Sequence, residues 1–591
     1  MARRARSTRA FSAVALLLLI LIGVYSQPAL SGYSARIKLG LLAVDGATGN
    51  GIVVDAWLSV TSPGSGRVTV EPKDLVEEST ALSTRIAFYL ASIVDGINPE
   101  LFDVRVEFET DTPVGGPSAS GFMAASFLLA LHGLLPDTDT TMTGMVSLTG
   151  FILPVAGVSD KVTAAKSAGY KRVLVPLSEA GNISNGISNG INVEGVCTFE
   201  EAASRLSSSY VSALIPEKPQ IQPPEPIREK EAEFSHHAQL FIEKATALLD
   251  EIPRNDTRRA VVALLDEARE ALDKSPYSAA SIAFMALYIA ASSIAGQHGF
   301  DYLEEKIGLS LDAVLANASS TVKTRLQEFN GRSVCGLWGY EALAAASVRL
   351  YLAEHAADST KPDVKTLALL RALSAESWAR LADPDFGPRV PCSLLGSVAQ
   401  FFVDYMQLSY NYIRSIVGHV VFHIPMPDDR DISAWINDAR KSLEEDNYPL
   451  ALGLALYVVS SLEESLAHGS GLPPACIERH IAFLEKLSWV IGPSLPASLL
   501  LEYALGYGSY VETVLGDPFI QESLEVDTAV WLLHPLAITA LTTEAAQPPT
   551  AHASLQWSNY YLAGIAAEAA LIALIGYSLV LVSRRARAEE V

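Results

Sequence analysis

Two segments of this 591-residue chain carry residue types suited to nucleophilic chemistry. The first runs Asp111-Thr-Pro-Val-Gly-Gly-Pro-Ser-Ala-Ser-Gly121 and passes directly into an apolar stretch that begins at Phe122. A Gly-Gly-Pro turn that delivers Ser118 to the start of a helix leaves backbone N–H groups around it outside the helical ladder. Such groups can hold an oxyanion. The second segment runs from Met142 through Thr143, Gly144 and Gly157 to Lys161, and on to Tyr170. It predicts a hairpin, a glycine-containing turn and a helix with Lys161 in its first turns. A lysine enclosed by apolar side chains loses its preference for the ammonium form, so its amine moves toward the range of a general base. A neutral amine beside a serine hydroxyl can replace histidine in acyl transfer.

Each of these residues has a plainer role open to it. A serine in the place of Ser118 most often caps the helix. A lysine such as Lys161 on an amphipathic helix usually faces solvent, and a strand threonine such as Thr143 is usually structural. Ser120 offers a second hydroxyl two residues on. His419 and His423 stand four residues apart and would face one metal if helical, but no third ligand accompanies them. Neither a metal nor a cofactor is expected.

Taken together, the two segments resemble the proteolytic domain of the Lon protease family. Its nucleophile lies in a Gly-Pro-Ser-Ala motif, matched here by Gly116, Pro117, Ser118 and Ala119. Its base lies in a second motif, matched by Met142, Thr143, Gly144, Gly150, Leu153, Pro154, Gly157, Lys161, Ala164, Ala165 and Gly169. The resemblance covers roughly residues 35 to 205. It implies Ser118 as nucleophile, Lys161 as general base and Thr143 as the hydroxyl that helps orient the amine. Two departures stand out: Gly115 occupies a position that is often acidic in the family, and Ser120 one that is often glycine. The P-loop pattern G-x-x-x-x-G-K-[ST] of the family's ATPase module does not occur in this chain. The overall arrangement is most similar to archaeal membrane-associated Lon-like peptidases that lack the ATPase.

The elements that must position these residues follow from pattern. From Ile37 to about Leu214, β-branched runs such as Ile52-Val53-Val54 alternate with helical periodicity at Thr80–Val94 and Phe122–Leu134. A Pro-rich, charged stretch over 215–233 reads as a semi-extended linker. Residues 234–543 are rich in Ala, Leu and Glu at helical spacing. An internal similarity there, Ala268-Arg269…Tyr277…Ala280 against Ala439-Arg440…Tyr448…Ala451, suggests helical hairpins. The apolar runs Ala279–Ala295 and Pro449–Leu462 read as buried bundle helices, too short for membrane spans. The expected architecture is multidomain: an α/β (α+β) Lon-type proteolytic domain over 33–214, an all-α helical-hairpin or bundle domain, and a C-terminal transmembrane helix.

The two ends set the compartment. Arg3, Arg4, Arg6 and Arg9 precede an apolar run from Ala10 to Tyr25, so 1–32 reads as a signal peptide or signal anchor. Residues 544–561 form a tether, 562–583 a transmembrane helix, and 584–591 a basic cytoplasmic tail. Both basic flanks then lie in the cytoplasm and the bulk of the chain outside the cell. The net charge of −23 is spread along the sequence without a basic, aromatic-interleaved patch, which excludes nucleic acid as a partner. Cys197, Cys335, Cys392 and Cys476 lack the paired spacing of a zinc site; outside the cell they can form one or two disulfides, by any of three connectivities if all pair, or remain free buried thiols.

These features imply a membrane-anchored, ATP-independent serine endopeptidase acting on protein or peptide substrates, with homo-oligomerisation left open. The rival is a catalytically inactive surface scaffold whose helical domain binds partner proteins or oligomerises.

Overall fold

The computed structural model describes residues 33–542, except 46–47, 184–188, 211–217 and 426–428. The expected signal segment, the tether, the transmembrane helix 562–583 and the basic tail lie outside the described residues.

Two strands open the fold, β1 (Tyr33–Val44) and β2 (Gly51–Ser62), paired antiparallel along their whole length. Alternation dictates the pairing: Ile37, Leu39 and Leu41 point inward, while Lys38 turns outward to meet Asp55 at 2.6 Å. Strands β3 (Val68–Glu71) and β4 (Asp103–Phe108) complete a sheet of order β1-β2-β4-β3, in which only the β3–β4 pair is parallel. Helix α1 (Glu78–Val94) and helix α2 (Ser120–Leu131) pack together, with Phe88 and Phe127 edge to face at 5.5 Å. All 12 residues of α2 are buried, which explains why its sequence is apolar on every face.

Strands β5 (Thr140–Met142), β8 (Arg172–Pro176) and β9 (Asn192–Val196) form a parallel sheet in the order β5-β8-β9. Between β5 and β8 lie the short hairpin β6 (Met145–Val146) and β7 (Ile152–Leu153), then helix α3 (Val158–Ser167). Helix α4 (Leu177–Ala180) follows β8, and α5 (Phe199–Leu206) follows β9. The hairpin, glycine turn and lysine-bearing helix thus fall in the predicted order.

The remainder is largely helical, and three expectations need correction. The stretch read as a linker contains the helix Glu225–Glu231, whose Ile227 and Glu231 are fully buried. Its prolines flank the first turn, where a missing N–H costs nothing. The region is not purely α either: Val334–Gly336 pairs antiparallel with Arg389–Pro391. The apolar runs extend further than their composition suggested. Pro276–His298 and Tyr448–Ser470 are 23 residues each, as is a third helix, Ile520–Thr542; all three are long and apolar enough to cross a membrane by length and composition, and more than half of the most apolar stretch of each is buried within the protein. The internal similarity corresponds to two like hairpins, Asp256–Ala271 with Pro276–His298 and Asp429–Glu444 with Tyr448–Ser470.

The four cysteines pair as Cys197–Cys476 and Cys335–Cys392. The first joins the α/β part to the helical part.

Candidate active site

The turn that carries Ser118 is held from α1. Ser79 Oγ accepts from Gly116 N at 3.0 Å, and Thr80 Oγ1 donates to Gly116 O at 3.0 Å. Gly116 has φ +86°, the left-handed region that suits a glycine. Helix α2 begins two residues after Ser118, and its N-cap is Ala119, with no side-chain cap. Capping therefore does not explain Ser118, which is half-buried rather than enclosed.

Ser118 is tied to the second motif through its backbone. Its carbonyl accepts from Gly144 N at 2.9 Å and from Thr143 Oγ1 at 3.2 Å. Gly144 O in turn accepts from Gly121 N at 3.0 Å. This zipper needs a bare backbone at residue 121, since a Cβ there would stand 2.9 Å from Gly144 O and 2.8 Å from Ile152 Cδ1. Thr143 is fully buried, and its amide donates to Leu174 O at 3.0 Å, which continues the β5–β8 pairing.

Lys161 lies in the second turn of α3 and is 2% exposed. An ordinary surface lysine is therefore excluded. Its backbone is pressed against β2: a Cβ at Gly51 would lie 2.0 Å from Asp160 O and 2.8 Å from Lys161 N. Burial pushes the amine down to about 8, and the carboxylate of Glu179 opposes that shift. Burial likewise raises Glu179, which accepts from Val155 N at 3.3 Å. Desolvation outweighs mutual attraction on both partners, so the Lys161 amine gives up its proton far more readily than an ordinary lysine.

The structure therefore joins Ser118 and Thr143 directly, whereas Lys161 reaches them through a chain of contacts. Thr143 binds Leu174 of β8, α4 follows β8 and carries Glu179, and Glu179 faces Lys161. Among the described residues no hydrogen bond joins the Lys161 amine to Ser118 or to Thr143. The first amides of α2 are also engaged, Ser120 N with Pro117 O and Gly121 N with Gly144 O. Any oxyanion contact falls to the amides before them.

Ser120 is fully buried, and its hydroxyl accepts from Val146 N at 2.9 Å. Of the two neighbouring hydroxyls, that of Ser118 is the accessible one. His419 and His423 do not share a helical turn, because the helix ends at Ile416. His419 instead approaches Glu77 at 3.6 Å. A cavity of about 510 Å³ between α1 and the helix Cys392–Ile416, lined by Arg85, Tyr89, Gln400 and Asp404 among others, includes neither Ser118 nor Lys161.

The part of the chain that carries this arrangement matches a known family. Residues 38–205 match the family model of the Lon protease (S16) C-terminal proteolytic domain. The chain is similar to Lon protease 2 of Bacillus subtilis, 36% identical over 111 residues, which is 19% of this chain and 20% of that protein. It is 35% identical over 152 residues to the Lon protease of Azorhizobium caulinodans, 24% of this chain and 18% of that one. It is 32% identical over 193 residues to the Lon protease of Brucella suis, 29% and 24% respectively. The chain thus spans about a fifth to a quarter of the length of these relatives.

One buried residue that bonds to this region was missed from sequence. Glu463, on the helix Tyr448–Ser470, is fully buried and bonds to the loop between β6 and β7 of the Lon-type region. The available signal was an acidic pair, Glu463-Glu464, inside an otherwise apolar helix. A buried charge demands partners.

Proposed function

We propose that the chain is a membrane-anchored serine endopeptidase that cuts unfolded or flexible protein segments without ATP at the outer face of the membrane. Ser118 is the nucleophile, Lys161 the general base and Thr143 an orienting hydroxyl. Neutral Lys161 takes the proton of Ser118 Oγ as that oxygen bonds to the scissile carbonyl carbon. The oxyanion is met by the backbone amides before α2. When the tetrahedral species collapses, the C–N bond breaks and the lysine ammonium gives its proton to the leaving amine. Water, deprotonated by Lys161, then attacks the acyl carbon; the ester C–O bond breaks and the lysine ammonium returns its proton to Ser118 Oγ.

The observation that carries this reading is the burial of Lys161, which moves its amine to about 8 within a region that matches a Lon proteolytic domain. The two disulfides support a place outside the reducing cytosol. The absence of a hydrogen bond between Ser118 and Lys161 fits a site that tightens when substrate binds. The full chain should degrade casein without ATP, and both Ser118→Ala and Lys161→Ala should abolish that activity. Unchanged cleavage in the two variants ends the reading.

A further inference from the structure

The loop between β6 and β7 follows Gly144, which binds Ser118, and leads through β7 to the lysine-bearing α3. Its polar groups are satisfied largely from the helical region. Glu463 Oε1 accepts from Ser147 Oγ and from Thr149 Oγ1, each at 2.6 Å, and from Thr149 N at 3.3 Å. Its Oε2 accepts from Leu148 N at 2.9 Å. Tyr405 donates to Leu148 O at 2.5 Å, Tyr412 to Val146 O at 3.0 Å, and His480 Nε2 to Thr149 O at 2.7 Å. Ser147, Thr149, Glu463 and His480 are all 1% exposed or less. The Cys197–Cys476 disulfide lies on the same helix as His480.

We propose that Glu463 is a positioning residue of the Ser118–Lys161 site, and that the helical region is a built-in part of that site rather than a separable recruiter or scaffold. The inference rests on the reading of Ser118 and Lys161 as a catalytic pair. A carboxylate offers only acceptors, and here four donors converge on it from three consecutive residues. Such a hub fixes the path of the loop. Removing it strands several buried donors at once, and the chain on either side leads to the serine turn and to the lysine helix.

Glu463→Gln makes the test, because an amide keeps the shape but turns one N–H toward the loop's donors. In the full-length protein, kcat on a fluorogenic peptide should fall about 10- to 100-fold, as expected for a misplaced catalytic group, with KM within about twofold of wild type. Glu341→Gln is the structural control: Glu341 is equally buried and accepts from His534 and Leu495 N away from this loop. It should lower Tm and leave kcat per folded molecule unchanged. If Glu463→Gln does not fold, Thr149→Val decides, with an expected kcat loss of about 3- to 10-fold from one deleted donor. Wild-type kcat per folded molecule in Glu463→Gln, or in Thr149→Val where that variant decides, overturns the proposal while the catalytic pair stands. A wild-type protein that neither cleaves nor labels at Ser118 with a fluorophosphonate overturns both.

Discussion

The carboxylate of Glu77 fills the space over Gly115: a Cβ built on that glycine would lie 2.0 Å from Oε2 and 2.1 Å from Cδ. The same Oε2 stands 3.6 Å from Nε2 of His419. Residue 115 lies three positions before Ser118, where the Lon-type pattern often has an acidic side chain. Here the carboxylate beside the serine turn comes from another point in the chain, and it cannot share that space with a side chain at 115.

Gly115→Ala should therefore act by displacing Glu77. That side chain is 47% exposed and can swing outward, so the stability cost is expected to stay below about 1 kcal/mol. The effect on kcat/KM should match that of Glu77→Ala, and in a double-mutant cycle the two should be non-additive by at least about 0.5 kcal/mol. Strictly additive losses would show that Glu77 does not act through this contact.

The pH dependence follows from Lys161. Only its neutral form can take the serine proton, and burial sets its titration at about 8. The kcat/KM of the wild type should rise with pH up to about 8 and level off above it. The negative charge of Glu179 holds the lysine up, so Glu179→Gln should move this acidic limb to lower pH. A limb that stays put, or moves upward, contradicts the assignment of the base.

The same burial has a cost in stability. The lysine titrates at about 8 in the fold and 10.5 when unfolded, so the fold binds fewer protons between these values. Its stability contribution is whole above 10.5 and is lost as pH falls through 8, a penalty of about 3 kcal/mol at pH 7. Lys161→Met should abolish peptidase activity and yet raise resistance to denaturant at pH 7, by up to that amount. The gain should vanish near pH 10.5. A destabilised Lys161→Met at pH 7 would mean that the amine is better solvated than its burial indicates.

Much of the site could be read from the sequence because its signals are local. The Gly-Gly-Pro turn, the apolar run of α2 and the glycine before α3 each lie within a few residues of the group they place. The choice of Ser118 over Ser120 came from the family pattern alone; its geometric ground was not legible, since it depends on Val146 N reaching Ser120 Oγ from 26 residues away. Glu463 was further still, 316 residues from Ser147. The short helix at Glu225–Glu231 was hidden by its prolines, which signal an extended chain unless they fall at the first turn of a helix.

The two serines should separate cleanly. Among the described residues the Ser118 hydroxyl makes no side-chain hydrogen bond, so Ser118→Ala should fold like wild type and lose activity by about 10³-fold or more. Ser120→Ala leaves the buried Val146 amide without its acceptor and should cost about 1–3 kcal/mol in stability, with cleavage retained by the folded fraction. Thermal unfolding and casein cleavage on both variants distinguish them. Loss of activity in Ser120→Ala with wild-type stability would transfer the nucleophile's role to that residue.

The disulfides give a last comparison. Cys197–Cys476 spans 279 residues and Cys335–Cys392 spans 57. In the chain-entropy account a cross-link restrains the unfolded state by an amount that grows as 1.5RT ln n, so the longer loop should contribute about 1.4 kcal/mol more. Cys197→Ser should therefore destabilise more than Cys335→Ser in equilibrium denaturation. It should also lower kcat where Cys335→Ser does not, because Cys476 shares a helix with His480, which holds Thr149 O in the loop between Gly144 and Lys161. Equal effects on kcat would mean that this loop is held firmly enough by Glu463 and the two tyrosines alone.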